Sequence, residues 1–306
     1  MDRIAAMRLF VRIVERGSFT AAAVDMGMPR ATATTAIQRL ERDLGARLLE
    51  RTTRRVRPTL DGSLYWERCV QLLADLNEAE TIFRNTEPRG PLRVDLQGTL
   101  ARFFVFPALP DFIGRYPDIS LNLSEGDRMV DLVAEGVDCV LRAGNLPDSG
   151  LVGRKLANLE QVTLASPAYL ARYGTPLTLE DLADHLMVGY TASATGKPYP
   201  LDFEQGGQAR EIAVSCSTVV RGAEIYTAAG LAGLGLIQIP RYRAAREIAK
   251  GELVPVLTSC PPPPMPVFIL YPQNRHLSSR LRVFVDWIAE VFRAGGTSGA
   301  EPQSSE

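Results

Sequence analysis

The sequence is poor in the side chains on which most enzymes and metalloproteins depend. It has two histidines, His185 and His276, and four cysteines, Cys69, Cys139, Cys216 and Cys260. The cysteines lie too far apart for a CxxC pair or a zinc framework, and two imidazoles leave little for metal ligation, so no metal site is expected. A nucleophile elbow, a P-loop, a dinucleotide glycine pattern and a zinc motif are also missing. Catalytic residues, cofactors and enzyme activity are therefore not expected. No apolar run approaches the ~20 residues of a membrane helix, and Met1-Asp2-Arg3-Ile4 lacks the basic-then-apolar pattern of a signal peptide. These absences point to a soluble, cytoplasmic protein with no membrane partner.

A large net charge is missing too: the chain carries −1. The distribution is uneven, however. Residues 1–60 hold twelve arginines against six acids, a balance of +6, which leaves −7 for the remainder. A basic head on a neutral-to-acidic body suits a DNA-binding module, although an arginine-rich solvated helix surface gives the same count. At 306 residues, 46% hydrophobic and 23% charged, the chain has ordinary globular composition and a length typical of about two domains.

In the head, Ile4, Met7, Phe10, Val11 and Val14 recur at helical spacing and stop at Gly17. Ser18 then suits the N-cap of a short helix, Phe19 to Met26, whose Ala21-Ala22-Ala23 allows close helix packing. Gly27 and Pro29 punctuate the start of a third helix, about Pro29 to Leu44. Ala33, Ile37, Leu40 and Leu44 form its inner face, and Gly45 stops it. Its outer face presents Ala31, Thr35, Gln38 and Arg42 with Thr34 on the flank, small or hydrogen-bonding groups suited to base edges. Two short helices joined by a glycine turn make a helix-turn-helix. The stretch Leu48 to Thr59 reads as a two-stranded wing tipped by Thr53-Arg54, and its arginines, Arg51, Arg54 and Arg55 among them, suit phosphate or minor-groove contact.

From Thr59 a helix is expected to about Arg84. Tyr65, Cys69, Leu72, Leu76, Ala79 and Phe83 follow alternating 4–3 spacing, the period of a coiled-coil seam, which predicts pairing with a second chain. Packing onto the chain's own C-terminal domain is the alternative. Glu87-Pro88-Arg89-Gly90-Pro91 reads as a hinge.

Beyond the hinge the pattern becomes strand and helix in alternation. Strands are expected at Leu92–Leu96, Ile119–Leu123 and Val137–Leu141, with helices near 100–116 and 128–135 between them, which implies a parallel sheet. A second α/β unit begins near Gln161–Ala165 and includes a strand at Ile212–Ser215, a helix at Ala223–Leu231 and a buried strand at Leu234–Pro240. Pro261 to Pro264 and Pro266 mark a crossing back, after which Val267–Tyr271 rejoins the first sheet and a helix at Leu277–Phe292 closes it. Two lobes so joined leave a cleft. Ligands of such sheets bind beyond strand ends, near helix N-termini. That selects Gly98, Thr99, Leu100, Arg142, Ser217, Arg221 and Gly222. A structural ion pair is an equally open reading of Arg142 and Arg221.

Several of these stretches resemble the LysR family of bacterial transcription regulators. Gly17-Ser18-Phe19-Thr20-Ala21-Ala22-Ala23 is similar to the opening of the family's second helix, and Ala36 to Gly45 is similar to the end of its recognition helix. Leu48-Leu49-Glu50-Arg51, Thr59 and Gly62 resemble its wing and linker start; Asp131 to Gly144 and Ala229 to Gly235 resemble effector-domain segments. The sequence departs from the family at Pro29, where Ser or Thr is usual, at Thr35, usually basic, and at Arg221, more often asparagine.

The resemblance implies an α+β multidomain protein: a winged helix-turn-helix over 1–59, a linker or dimerisation helix over 60–86, and a hinge over 87–91. A two-lobed α/β effector domain akin to periplasmic binding proteins follows over 92–294, lobe I about 92–161 and 266–294 and lobe II about 162–265, with a disordered tail over 295–306. It further implies double-stranded operator DNA, a small-molecule effector, a second copy of the chain in a dimer or tetramer, and RNA polymerase as partners. Ser18, Arg30, Ala31, Thr34, Thr35, Gln38, Arg42, Arg51, Arg54 and Arg55 are the DNA-facing residues under this reading. Three alternatives remain open: a family regulator with no ligand, a cysteine redox sensor using Cys216 and Cys260, and an enzyme or solute-binding protein with a fused head.

Overall fold

The computed structural model describes residues 1–51, 56–81, 87–126, 136–144, 151–191, 196–272 and 277–295, side chains at 51 and 77–81 excepted. The wing tip with Arg54 and Arg55, the seam position Phe83, the helix expected over 128–135 and the tail after 295 lie outside the described residues, as do the side chains of Arg51 and Ala79. The chain folds as two compact units, the first made chiefly of Met1–Leu92 and the second of most of the rest.

The first unit begins with α1 (Arg3–Arg16), capped by Asp2, whose carboxylate accepts from Ala5 N at 2.7 Å. Gly17 ends it in the left-handed region, φ 59°, a conformation that costs glycine nothing. Helix α2 (Phe19–Asp25) starts at Ser18, whose Oγ accepts from Ala21 N, and α3 (Arg30–Leu44) ends at Gly45, φ 67°. Pro29 is not inside the first turn of α3, as the sequence suggests, but is its N-cap, with extended backbone and no side-chain hydrogen bond. Leu9, Phe10, Ile13, Ala22, Ala33 and Ile37 are fully buried where the three helices meet. Glu41 then bends the chain into the wing, its Oε1 accepting from the amides of Leu48 at 2.8 Å and Leu49 at 3.1 Å. Strands β1 (Leu49–Arg51) and β2 (Val56–Pro58) pair antiparallel, Glu50 opposite Arg57.

Thr59 opens α4 (Leu60–Thr81), accepting from Gly62 N at 2.9 Å and donating to Arg47 O at 2.6 Å. Here the seam expectation needs correction. Cys69 is fully buried in the core of the three helices, and the Tyr65 ring lies 5.4 Å from that of Phe10. The first turns of α4 lie along α1, so these two residues complete the head's own core; sequence period does not distinguish packing within a chain from packing between chains. Among the described side chains of this helix, Leu60, Leu64 and Leu72 are large, apolar and exposed, Leu72 at 53%.

The second unit is built on a five-stranded sheet. Its order is Ile119–Glu125, Gly90–Leu96, Cys139–Ala143, Met265–Pro272 and Leu151–Leu159. Gly90–Leu96 and Cys139–Ala143 run parallel, as expected. The strand at Met265–Pro272 does rejoin this sheet but antiparallel to both neighbours, so the sheet is mixed. Gly98–Leu100, a π-helical turn at Ala101–Val105 and Phe106–Arg115 form one continuous helical stretch. The Phe106 amide bonds back five residues to Ala101 O. Pro107 has no N–H for the next rung and crowds the preceding turn, and a wider turn relieves both problems. This stretch packs on the last helix, Ser279–Gly295, through Phe104 stacked on Phe292 and Phe112 against Phe284 and Trp287.

Within the same unit, Ile237–Pro240, Gln161–Ala165 and Val254–Val256 form an antiparallel sheet, in that order. Leu186–Tyr190 and Ser215–Val220 pair in parallel. The strand expected at Ile212–Ser215 is instead a break: Ile212 ends one strand and Ser215 begins another. The first belongs to a hairpin, Leu201–Gln205 with Gln208–Ile212, turned by Gly206 and Gly207 at φ 60° and 77°, the conformation of a two-residue I′ turn. The buried strand expected from Leu234 is confined to Ile237–Pro240. The helix Ala223–Leu231 is where the sequence places it.

Candidate nucleic-acid interface and effector site

Helix α3 separates its residues cleanly. Ala33, Ile37 and Leu40 are buried, while Arg30, Ala31, Thr35, Gln38 and Arg42 are exposed and Thr34 is half-buried. The separation follows from the 3.6-residue turn: the small and polar residues fall opposite the apolar ones. Thr35 donates its hydroxyl to Ala31 O at 3.0 Å, which leaves its oxygen free to accept. Arg30 and Arg42 sit twelve residues apart, about 18 Å along the axis at 1.5 Å per residue.

Charge pairing sharpens this face. Asp25 accepts from Arg12 at 2.7 Å and from Arg16 at 3.1 Å, and Arg12 also reaches Glu15. Arg39 sits 3.9 Å from Asp43, and Glu41 is turned inward onto Leu48 and Leu49. Glu15, Asp25 and Asp43 thus pair with arginines on α1 and the distal turn of α3, and Arg30 and Arg42 form no ion pair among the described residues. Ser18 is half-buried at the cap of α2, its oxygen occupied by Ala21 N and its proton still available to an acceptor.

The effector candidates divide into two groups. Gly98, Thr99 and Leu100 open the π-containing helix; Thr99 and Leu100 are buried, and a Cβ on Gly98 would stand 2.1 Å from Glu125 Oε1. Arg142 lies beneath this turn and forms a buried ion pair with Asp95, with further bonds to the carbonyls of Asp95 and Leu141. Asp95 also accepts from Ser124 Oγ at 2.6 Å. For Arg142 the structure therefore gives the ion-pair arrangement. Ser217 and Arg221 are exposed, and Gly222, φ 99°, is the N-cap of Ala223–Leu231 with no side chain capping the free amides.

Sequence reasoning missed two residues that join these groups, Tyr242 and Arg243, on a short turn after Ile237–Pro240. Tyr242 donates to Thr99 Oγ1 at 3.3 Å and meets the rings of Phe103 and Phe104 edge-on at 5.2 and 4.9 Å. Burial pushes its phenol above the usual range. Arg243 donates to Ala223 O and to Thr227 Oγ1 at 2.7 Å, beside the first turn of the 223–231 helix. Nothing in the local pattern around Arg241-Tyr242-Arg243 marks either residue, because their importance comes from long-range packing. Tyr190 faces Tyr226 at 5.1 Å and Tyr199 at 6.4 Å. Of the cysteines, Cys69 and Cys139 are buried, with thiols pushed up by desolvation, while Cys216 and Cys260 are half-buried and free.

No described helix is long and apolar enough to cross a membrane. Comparison with known proteins agrees with both halves of the chain. Residues 4–63 match the model of the bacterial regulatory helix-turn-helix protein, lysR family, and residues 85–293 match the LysR substrate binding domain. The HTH-type transcriptional regulator YhjC of Escherichia coli is 38% identical over 96% of this chain and 99% of its own. An HTH-type transcriptional repressor of Pseudomonas aeruginosa is 37% identical over 95% of this chain and 93% of its own. Among solved structures, CrgA, a LysR-type transcriptional regulator from Neisseria meningitidis, is similar with a TM-score of 0.58 at 32% identity, covering 95% of this chain and 99% of that one. The chain belongs to the LysR family of DNA-binding transcriptional regulators, with an N-terminal helix-turn-helix and an effector-binding domain, and is not an enzyme.

Proposed function

We propose that the protein is a homo-oligomeric regulator whose hold on operator DNA is set by a small organic anion, a carboxylate, bound between lobes I and II. Arg30, Thr34, Thr35 and Gln38 of α3 read base edges, with Ala31 giving close approach and Arg42 and Ser18 reaching phosphates. Arg51, Arg54 and Arg55 of the wing hold the backbone. Regulation at a promoter then brings the protein to RNA polymerase.

The observation that carries the effector reading is the uncapped start of Ala223–Leu231, with exposed Arg221 and Ser217 beside it. Free amides at a helix start carry partial positive charge, and an added guanidinium favours an anion over a neutral ligand. Gly98, Thr99, Leu100 and Gly222 border the same place, and Arg142 supports it through Asp95. The test is a thermal-shift screen of carboxylates and neutral metabolites on the full chain. A carboxylate at 100 times its Kd stabilises the fold by about 2.7 kcal/mol, a readily visible shift. Stabilisation only by cations or neutral molecules contradicts this reading.

Oligomerisation is assigned to an apolar stripe of α4, with exposed Leu72 and half-buried Leu76 at its centre. Changing both to glutamate places carboxylates in a dry seam at a cost of roughly several kcal/mol. Light scattering is expected to show dissociation to a smaller species. Retention of the parent oligomer places the interface elsewhere.

A further inference from the structure

Arg243 is an unusual side chain for its surroundings. It is held by two neutral acceptors, Ala223 O and Thr227 Oγ1, and pairs with no carboxylate among the described residues. The carboxylate whose field reaches it, Glu224, is exposed and engaged by Arg102 at 3.4 Å instead. Burial holds the guanidinium below the ordinary arginine range, only partly offset by Tyr242, Glu224, Tyr190 and Tyr226. Arg243 is half-buried; a partly desolvated cation with no carboxylate bonded to it is costly, and the cost falls when an anion arrives. Its position adds to this, because the first turn of Ala223–Leu231 contributes positive potential of its own.

We infer that Arg243 is the residue that recognises the effector's carboxylate, and that the aromatic side chains around it select a ligand whose anionic head is carried on a planar apolar body. This rests on the reading that an organic anion binds between the lobes. Arg221, the more obvious candidate from the sequence, is exposed, where a single ionic contact is weakened by water. A guanidinium already fixed by two hydrogen bonds presents its remaining N–H groups in a set direction and can meet a carboxylate with little further ordering. Tyr190 and Tyr242 are half-buried and contribute flat apolar surface around it, with the buried Tyr226 ring packed 5.1 Å behind Tyr190. The Tyr242 phenol is fixed on Thr99, which ties the same turn to the start of the 98–115 helical stretch.

The experiment is calorimetric titration and thermal protection of the full chain by benzoate, phenylacetate and succinate, with benzamide as the neutral isostere of benzoate. The parent, Arg243→Gln, Arg243→Lys and Arg221→Gln are compared. The expected result is protection of the parent by benzoate or phenylacetate in preference to succinate and benzamide. Arg243→Gln is expected to raise the Kd for the aromatic carboxylate at least tenfold, and Arg243→Lys, which keeps the charge and guards against loss of fold, by less. Benzamide is expected to bind Arg243→Gln no more weakly than the parent. If a carboxylate protects the parent and its Kd changes less than twofold in Arg243→Gln, the inference is overturned while the anion reading stands. The same holds if Arg221→Gln alone costs affinity. A preference for succinate overturns the planar-body part. If no carboxylate protects the parent, the anion reading falls and this inference falls with it.

Discussion

Replacing Arg142 by alanine is expected to cost roughly 3–5 kcal/mol of stability, the usual range when one partner of a buried ion pair is removed. The side chains of Arg142 and Asp95 are only 6% and 8% exposed. Loss of the guanidinium leaves the Asp95 carboxylate inside the sheet with Ser124 Oγ on one oxygen. Denaturant unfolding of the parent and Arg142→Ala measures the loss directly. An apolar pair, Asp95→Leu with Arg142→Met, is expected to recover most of the loss, because it removes both desolvated charges together. Equal losses in the single and double variants contradict a role for the pair as a unit.

Gly62→Ala is the second substitution expected to act strongly, and it does so without touching a charge. Gly62 sits in the first turn of α4 against the chain entering the wing, and a Cβ there would stand 1.9 Å from Leu48 O and 2.8 Å from Leu48 C. The obstacle is backbone, not the end of a flexible side chain, so either α4 lifts away or the Leu48–Leu49 segment shifts. Leu48 and Leu49 are almost fully buried and bound to Glu41, so both movements disturb the head's core. Overpacking ordinarily costs about 1–3 kcal/mol, and more where backbone must move; the upper end is expected here. Loss of DNA binding should accompany the loss of stability, since Leu49 begins the wing. Thermal unfolding and DNA titration of Gly62→Ala check both, and unchanged values show that α4 does not need this close approach.

The head was largely legible in the sequence because its signals are local. Gly17 and Gly45 end helices, Ser18 and Thr59 cap them, and Ala33-Ile37-Leu40 fixes the face that α3 turns inward. Pro29 shows the limit of such reading, since a proline suits both the cap and the first turn and only the backbone decides. The Tyr65 and Cys69 positions show a second limit, because the same apolar period serves a neighbouring helix of one chain or of two. In the second unit, the alternation of strands and helices predicted the parallel pair but not the direction of the returning strand at Met265–Pro272, which depends on where the chain re-enters the sheet. The Gly206-Gly207 hairpin does carry a local signal, since two adjacent glycines suit a two-residue turn at positive φ. Arg142 lies one residue before the end of its strand, and its partner Asp95 lies on a neighbouring strand 47 positions away; no sequence pattern joins them. Tyr242 and Arg243 depend on still longer connections, from the turn at 241–243 to Thr99 and Ala223.

The central claim is that α3 reads sequence while the wing arginines hold the DNA backbone. It is tested most directly by selecting sites from a random duplex library with the full chain, then titrating the selected site and unrelated DNA over a range of salt. A dyad-symmetric site is expected to be enriched. Gln38→Ala should cost about 1–3 kcal/mol on that site and little on unrelated DNA. Arg54→Ala with Arg55→Ala should weaken binding to both and flatten the slope of log K against log salt by up to about two units. Failure to enrich any site, or a salt slope unchanged after both arginines are removed, contradicts the account.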